Sequence, residues 1–313
     1  MHKPSVQAPR AVVMIRPHHF HPNPATAADN AFQAREAPEG APVAAAAHAE
    51  VTRAAERLEA AGIAVHLFED EGCDTPDSVF PNNWFSTHAG GHVAIYPMFS
   101  PSRRRERRQD VVEMLKQRYR VQDVIDYSGL EQDGVFLEGT GAMVLDHVER
   151  VAYAARSNRT NEVALERFCT HFNFEPMVFD AVDAAGRPIY HTNVLMCVGT
   201  EFSLIGLGAI PDAARRAEVA ARLAEGGRAV IDLSHDEIAA FAGNAIELQG
   251  REGRVLALSA RALAALGPAQ RTRLERFAVL LPLEVPTIEL AGGSVRCMLA
   301  GIHLAPRPGA AAT

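Results

Sequence analysis

Apolar positions along the chain follow two alternating patterns. Residues recurring at three- and four-residue intervals mark APVAAAAHAEVTRAAERLEAAG, SRRRERRQDVVEMLKQRY, TNEVALERFCTHF, PDAARRAEVAARLAEGG and the paired stretch SARALAALGPAQRTRLERF, which predicts five helical blocks. Between them lie short β-branched or aromatic runs: AVVMIR, AVHLFE, VFPNNWFSTH, HVAIYPM, VFLEGTGAMVLDH, RVAYAARS, FEPMVFDA, NVLMCVGTEFSLIG, RAVIDLS, AIELQG, VLALS and VPTIEL. Two or three strands thus accompany each helix. A helix-plus-strands unit returning about every fifty residues is the period of a propeller or an array rather than of one open sheet. The units share no visible sequence similarity, so element order alone carries the inference, and a doubly wound sheet is the alternative. No Gly/Ser-rich or Pro-rich linker divides the chain, so one domain over residues 1–313 is expected, with loose ends at 1–10 and 305–313.

Composition narrows the class. With 48% hydrophobic and 22% charged residues, the chain carries enough apolar surface for a large core. Residues 1–15 hold no apolar run suited to a signal peptide, and nothing approaches the roughly 20 apolar residues of a membrane helix, so a soluble cytoplasmic protein is expected. The formal charge of −7 works against sequence-independent nucleic-acid binding. The basic run SRRRERRQD has no interleaved aromatics and reads as the solvated face of a helix. Cys73, Cys169, Cys197 and Cys297 lie far apart without a CxxC pair, which suits neither a disulfide scaffold nor a zinc knuckle; each is buried filler or a reactive thiol.

Cys297 has the setting a nucleophile needs. In AGGSVRCMLAGIHL, glycines and a serine lead into an apolar strand with the thiol at its mouth, where backbone can approach a substrate closely, and Arg296 beside it favours the thiolate. The alternative is a small buried apolar residue. Cys169 and Cys197 sit inside apolar patterns and read as filler. His191 stands in GRPIYHTNVLMCVG where a turn becomes a strand, with Asn193 expected on the same face, a pairing that suits a general acid/base beside a substrate-contacting amide. Glu138 precedes a Gly-x-Gly break in VFLEGTGAMV; it is either a carboxylate that orients an imidazolium or a residue at an ordinary bulge. The GTG is followed by a strand pattern and so is no dinucleotide loop.

Asp77, Asn82, Asn83 and Trp84 in DSVFPNNWFSTH form a candidate polar clamp, although turn chemistry alone also explains Pro81-Asn82-Asn83. In ARSNRTN, Arg156 or Arg159 is placed to hold a substrate carboxylate ahead of a helix capped at Thr160 or Asn161. His18, His19 and His21 in RPHHFHPNP invite a metal, but three prolines make the segment an irregular loop and no cysteine or carboxylate adjoins it in sequence. No metal and no cofactor are expected, and the loop is placed near the mouth of the site.

The order of these segments resembles the guanidine-modifying, or pentein, superfamily of arginine deiminases, dimethylarginine dimethylaminohydrolases and glycine amidinotransferases, over nearly the whole chain. DSVFPNNW resembles their substrate strand, LEGTG their acid motif, RSNRTN their SKRTN segment, YHTN their histidine motif and GGSVRCM their terminal cysteine motif. The resemblance implies an α+β propeller of five ββαβ units about a pseudo-fivefold axis. It implies Cys297 as nucleophile, His191 as general acid/base and Glu138 as its carboxylate partner, with Asp77 on a substrate nitrogen and Arg159 on its carboxylate.

Three departures matter. Asn83 and Asn193 stand where the deiminases carry acids, and Gly141 replaces the last acid of their EGGD motif. A pocket stripped of negative charge compensates a buried guanidinium poorly and suits a neutral ureido group. With the opening RPHHFHPNPATAADNAFQ, this pattern is similar to the citrulline-utilisation hydrolases. The resemblance therefore implies hydrolysis of a C–N bond in a small ureido or guanidino amino acid, citrulline first, with arginine deiminase, dimethylarginine hydrolase and amidinotransferase activities as alternatives. A homodimer is left open, and nucleic acid and membrane are not expected as partners. The rival of another class is a non-catalytic binding protein of the same fold, which a thiol-directed amidine probe on Cys297 would separate from an enzyme.

Overall fold

The structure, a computed structural model, describes residues 5–34 and 41–309. Strand β1 (Ala11–Pro17) and strand β2 (Ala64–Asp70) run parallel, joined through helix α1 (Ala41–Ala60). The next unit adds a leading strand: β3 (Phe85–His88) pairs antiparallel with β4 (His92–Ile95), and α2 (Gln109–Arg118) returns the chain to β5 (Asp123–Asp126), parallel to β4. A one-turn helix α3 (Gly139–Ala142) then opens β6 (Met143–Asp146), β7 (Val151–Ala155), α4 (Glu162–Phe172) and β8 (Glu175–Phe179). One-turn α5 (Thr192–Leu195) opens β9 (Met196–Val198), β10 (Phe202–Ile205), α6 (Ala213–Ala224) and β11 (Ala229–Asp232). After α7 (His235–Ala239) come β12 (Ile246–Gln249), β13 (Arg254–Ser259), α8 (Ala260–Ala265), α9 (Pro268–Leu274) and β14 (Val279–Leu283). One-turn α10 (Val295–Met298) leads to β15 (Ala300–Gly301), which pairs antiparallel with β1 and supplies the first sheet's missing strand.

The result is five three-stranded sheets, each a ββαβ unit, closed into a ring by the chain's last strand. No described sheet exceeds three strands, so the doubly wound alternative falls. Middle strands such as VAYAA in β7 and RVLALS in β13 are buried throughout, which is why they read as continuous apolar runs. Helices start where side chains cap their free amides: Asn161 accepts from Val163 and Ala164 in α4, and Asp212 from Arg215 in α6. The core fills the gaps between neighbouring units; Val12 and Met14 of β1 pack in one cluster with Leu248 and Val255 of the fifth unit. Truncating Leu248 to Ala would cost about 2–5 kcal/mol.

Several expectations are corrected. VPTIEL is a turn with a short 3₁₀ helix at Ile288–Ala291 rather than a strand, whereas DVID (β5) and VLLPL (β14) are strands that the apolar pattern misses. Both are edge strands with much exposed surface, so they carry no unbroken apolar run. VFLEGTGAMVLDH and NVLMCVG are not continuous strands, because a helical turn interrupts each before β6 and β9. The expected loose ends are hydrogen-bonded at points, Gln7 Nε2 donating to Leu145 O and Val198 O at 3.0 and 2.9 Å and Arg307 N to Arg118 O at 2.9 Å, while residues 305–309 are all exposed. Residues 1–4 and 310–313 of those ends lie outside the described residues.

Candidate active site

A turn precedes the first strand of every unit: Pro81–Asn83 before β3, α3 before β6, α5 before β9, residues 241–244 before β12 and α10 before β15. All five first strands line one cavity along the axis, so the turns that introduce them gather at one end of it. Each turn delivers a polar side chain there: Asn83, Glu138, His191 with Asn193, Asn244 and Cys297. All but Asn244, which lies in a non-helical bend, therefore sit on helical turns or at their N-caps rather than at strand mouths.

Cys297 Sγ accepts from two amides, Asn193 Nδ2 and Asn244 Nδ2, both at 3.2 Å. Asn244 is itself fixed, donating to Asn193 O at 2.9 Å and accepting from Arg296 N at 3.0 Å. Two oriented N–H donors fix the position of the sulfur at the pocket wall. His191 Nε2 meets Glu138 Oε2 at 2.8 Å, and Glu138 Oε1 accepts from Phe99 N at 3.0 Å. Burial alone would raise the Glu138 pKa, but Arg159, the bond to His191 and Arg103 outweigh it and hold the carboxylate well below its usual range. Burial pushes His191 down to about 4 against the opposing pull of Glu138, so the ring is neutral at pH 7 and able to take a proton.

His191 and Cys297 share the wall of a small pocket with Asp77, Asn83, Arg103 and Arg159. Its glycines are required by contact. A Cβ on Gly141 would stand 2.2 Å from the Asn83 amide and 2.9 Å from the His191 ring. Gly292 has φ +80°, and a Cβ there would strike Asn30 at 2.5 Å, where the segment carrying Asn23, Thr26 and Asn30 closes over the pocket.

Of the expected substrate contacts, Asp77, Asn83 and Arg159 reach this wall. Asn82 and Asn193 stand behind it, Asn193 on the sulfur and Asn82 against Asn83. Arg156 is on the surface, paired with Glu162 at 2.7 Å, and makes no part of the wall. Arg159 is buried, 3.4 Å from Glu138, stacked over the Tyr190 ring and bonded to Asp29 at 2.7 and 3.0 Å.

The sequence reading missed Arg103, Asn244 and Asp29. The run SRRRERRQD is not simply a solvated face: Arg103 is 3% exposed and pairs through two bonds with Glu106, at 3.0 and 2.9 Å. Asn83, with its amide turned to satisfy its neighbours, accepts from both terminal nitrogens of Arg103 at 3.0 Å. A pairing of Arg103 with Glu106 three residues on, in a run too charged to be core, was the available signal. Asn244 gave none beyond an asparagine between apolar residues before a strand. The pocket is thus not simply depleted of negative charge, since Asp77, Asp29 and Glu138 are balanced there by two arginines.

Away from the pocket, burial pushes the Cys169 and Cys197 thiols up to about 12, as suits inert filler, and Cys73 is exposed. The loop histidines do meet a carboxylate in space: His18 Nε2 is 2.9 Å from Glu69, with His48 close by. Glu69 is already engaged by Arg16, which spends its charge. Among the described residues no helix is long and apolar enough to cross a membrane.

A thiol held by amide donors, an imidazole and its carboxylate, gathered on the axis of a five-unit α/β propeller, define the guanidine-modifying, or pentein, superfamily. Within it, the chain belongs to the family described as N,N dimethylarginine dimethylhydrolase, eukaryotic, whose model matches residues 16–304. No curated protein matches the sequence. Among solved structures, the fold is similar to the N-terminal domain of ArgZ, an arginine dihydrolase from the ornithine-ammonia cycle in cyanobacteria, bound to substrate: TM-score 0.72, 16% identity, covering 93% of this chain and 97% of that one. It is similar to AgrE in complex with L-arginine, at TM-score 0.74 and 16% identity over 97% of this chain, which spans 41% of AgrE. A dimethylarginine dimethylaminohydrolase adduct with S-methyl-L-thiocitrulline matches at TM-score 0.63 and 14% identity, covering 94% and 100%.

Proposed function

We propose that this protein is a cysteine hydrolase that cleaves a C–N bond in a ureido or guanidino amino acid, with citrulline as its substrate and ornithine, ammonia and CO₂ as products. The observation that carries the reading is the convergence of Cys297, doubly hydrogen-bonded by amides, and the His191–Glu138 pair on one small buried pocket. The family match and the arginine-related ligands named for the similar structures support the coarser assignment, a guanidino-type C–N hydrolase.

In this mechanism neutral His191 takes the Cys297 proton, and the thiolate adds to the ureido carbon. Imidazolium, stabilised by Glu138, returns the proton to the terminal nitrogen. The C–N bond breaks, ammonia leaves, and a thiocarbamate links Sγ to the δ-nitrogen side. Water, deprotonated by His191, then displaces sulfur. The released δ-carbamate loses CO₂ to leave ornithine, and the thiol is restored. Asn83, an amide where an acid would favour a cation, supports the ureido substrate. Arg103 and Arg159 are positioned for the substrate carboxylate, with Arg159 exchanging Asp29 for it.

A second reading, arginine or methylarginine as substrate with citrulline as product, is favoured by the family description and by the Asp77 carboxylate on the pocket wall. One assay separates them. Citrulline, arginine and methylarginines are supplied in turn, and ammonia, methylamines, citrulline and ornithine are quantified. Ornithine with ammonia from citrulline supports the first reading. Citrulline from an arginine, with citrulline itself left intact, replaces it with the second.

A further inference from the structure

Behind the catalytic turns lies a second cavity of about 50 Å³, walled by the first strands of all five units. Arg296, the neighbour of the nucleophile, turns away from the pocket and lines this cavity; its Nη1 donates to Leu299 O at 2.9 Å. Arg296 is half-buried, with part of its side chain open to the cavity.

The other deep arginines of the protein each have an acid. Arg103 pairs with Glu106, Arg159 with Asp29, Arg228 with Asp146 and Arg254 with Glu201 and Glu247. Among the described residues Arg296 pairs with none, and burial pulls its pKa down without a carboxylate to oppose the shift. A half-buried cation with no acid of its own, facing a polar cavity, leaves its charge to be answered by a group from outside the chain.

The remaining polar wall fits an anion. His147 lines the cavity with its ring stacked on His303 at a centroid distance of 3.9 Å, and its ring nitrogens bond to no protein atom among the described residues. His303 Nδ1 is held by Val6 O at 3.1 Å. Burial keeps both rings below the ordinary histidine range, His303 at about 4, with Arg296 adding to the effect. The one carboxylate on the wall, Glu247, is directed elsewhere. Its Oε2 accepts from Thr200 N and Oγ1 at 2.8 and 2.6 Å, and its Oε1 lies 3.6 Å from Arg254.

We propose that this cavity binds one small inorganic anion of the size of chloride, with Arg296 as its counter-charge and the His147 ring as a second donor. The volume has room for a few water-sized groups, and so for a monatomic or small polyatomic ion with part of its hydration. The site stands apart from the activity proposed above. It does set the field behind Cys297, because the anion cancels a charge carried by the adjoining residue.

The test compares thermal unfolding in gluconate with that in chloride, bromide and nitrate at fixed ionic strength, for the wild type and Arg296→Met, alongside bromide-soaked wild-type crystals read by anomalous scattering. The expected result is a midpoint that rises with anion concentration by at least ~2 °C in the wild type and not in Arg296→Met, with a bromide peak beside Arg296. An anion-independent midpoint with no peak in the cavity overturns the proposal. A response that persists in Arg296→Met, with bromide only between Arg103 and Arg159, also overturns it. Should Arg296→Met fail to fold, the wild-type bromide map decides: a peak in the cavity supports the site, and an empty cavity rejects it.

Discussion

The two ends of the propeller axis treat buried charge in opposite ways. At the front, Glu138, His191, Arg103, Arg159, Asp29 and Glu106 form a chain of contacts in which each charge has an opposite within 3.6 Å. At the back, Arg296 faces a cavity without an acid of its own. On the proposed mechanism the front is arranged in advance, so little reorganisation is needed when charge moves between sulfur, ring and substrate. The back keeps one cation unanswered by the chain.

Removing the sulfur breaks the front most completely. Cys297→Ala is expected to lower turnover by about 10⁴-fold or more while leaving the far-UV spectrum unchanged, as measured by ammonia release and circular dichroism. A variant with near wild-type turnover would end the assignment. Glu138→Gln comes next. It leaves His191 without its carboxylate, while Arg159 keeps Asp29 and Arg103 keeps Glu106, so kcat should fall about 10²–10⁴-fold and stability by about 1–3 kcal/mol. Steady-state kinetics and denaturant titration measure the two losses independently.

Acid comes third. His191 has a folded pKa of about 4 against an ordinary value of 6.5, so the unfolded chain takes up the proton first. Stability from this group is full above about 6.5 and is lost as pH falls toward 4, by about 3 kcal/mol. Denaturant midpoints at pH 7.5, 6.0 and 4.5 should show the decline, and His191→Gln should flatten it. An equal slope in the variant assigns the acid sensitivity to other groups. The smallest effect is Asn244→Ala, which removes one of two donors to sulfur. Alkylation of Cys297 by iodoacetamide at pH 7 should slow about tenfold. An unchanged rate would leave Asn244 without a part in holding the sulfur.

Legibility followed burial. The middle strands and the long helices each bury one continuous apolar surface, so β1, β7, β13, α1, α4 and α6 are visible as periodic runs. The outer strands β5 and β14 bury too little to leave such a run. Cys297, His191 and Glu138 were visible because each sits beside glycines or an asparagine that interrupt an apolar stretch. Their helical turns were not visible, since four residues are too few to display a 3.6-residue period. Arg103 was hidden by its neighbours: Arg104, Arg105, Arg107 and Arg108 keep more solvent contact, and nothing local says which arginine turns inward. Asp29 and Arg159 are 130 positions apart, and only the closed ring brings them together.

The pairing of β15 with β1 also sets an order of events during synthesis. Residues 300–301 complete the first unit, and Cys297 lies three positions before them, so a growing chain has neither a sealed ring nor this sulfur until that segment has left the ribosome. His191 and Glu138 emerge more than a hundred residues earlier and wait without the thiol that shares their pocket. On the proposed mechanism, reactivity therefore arrives together with ring closure, and chains that stop short of residue 297 lack it.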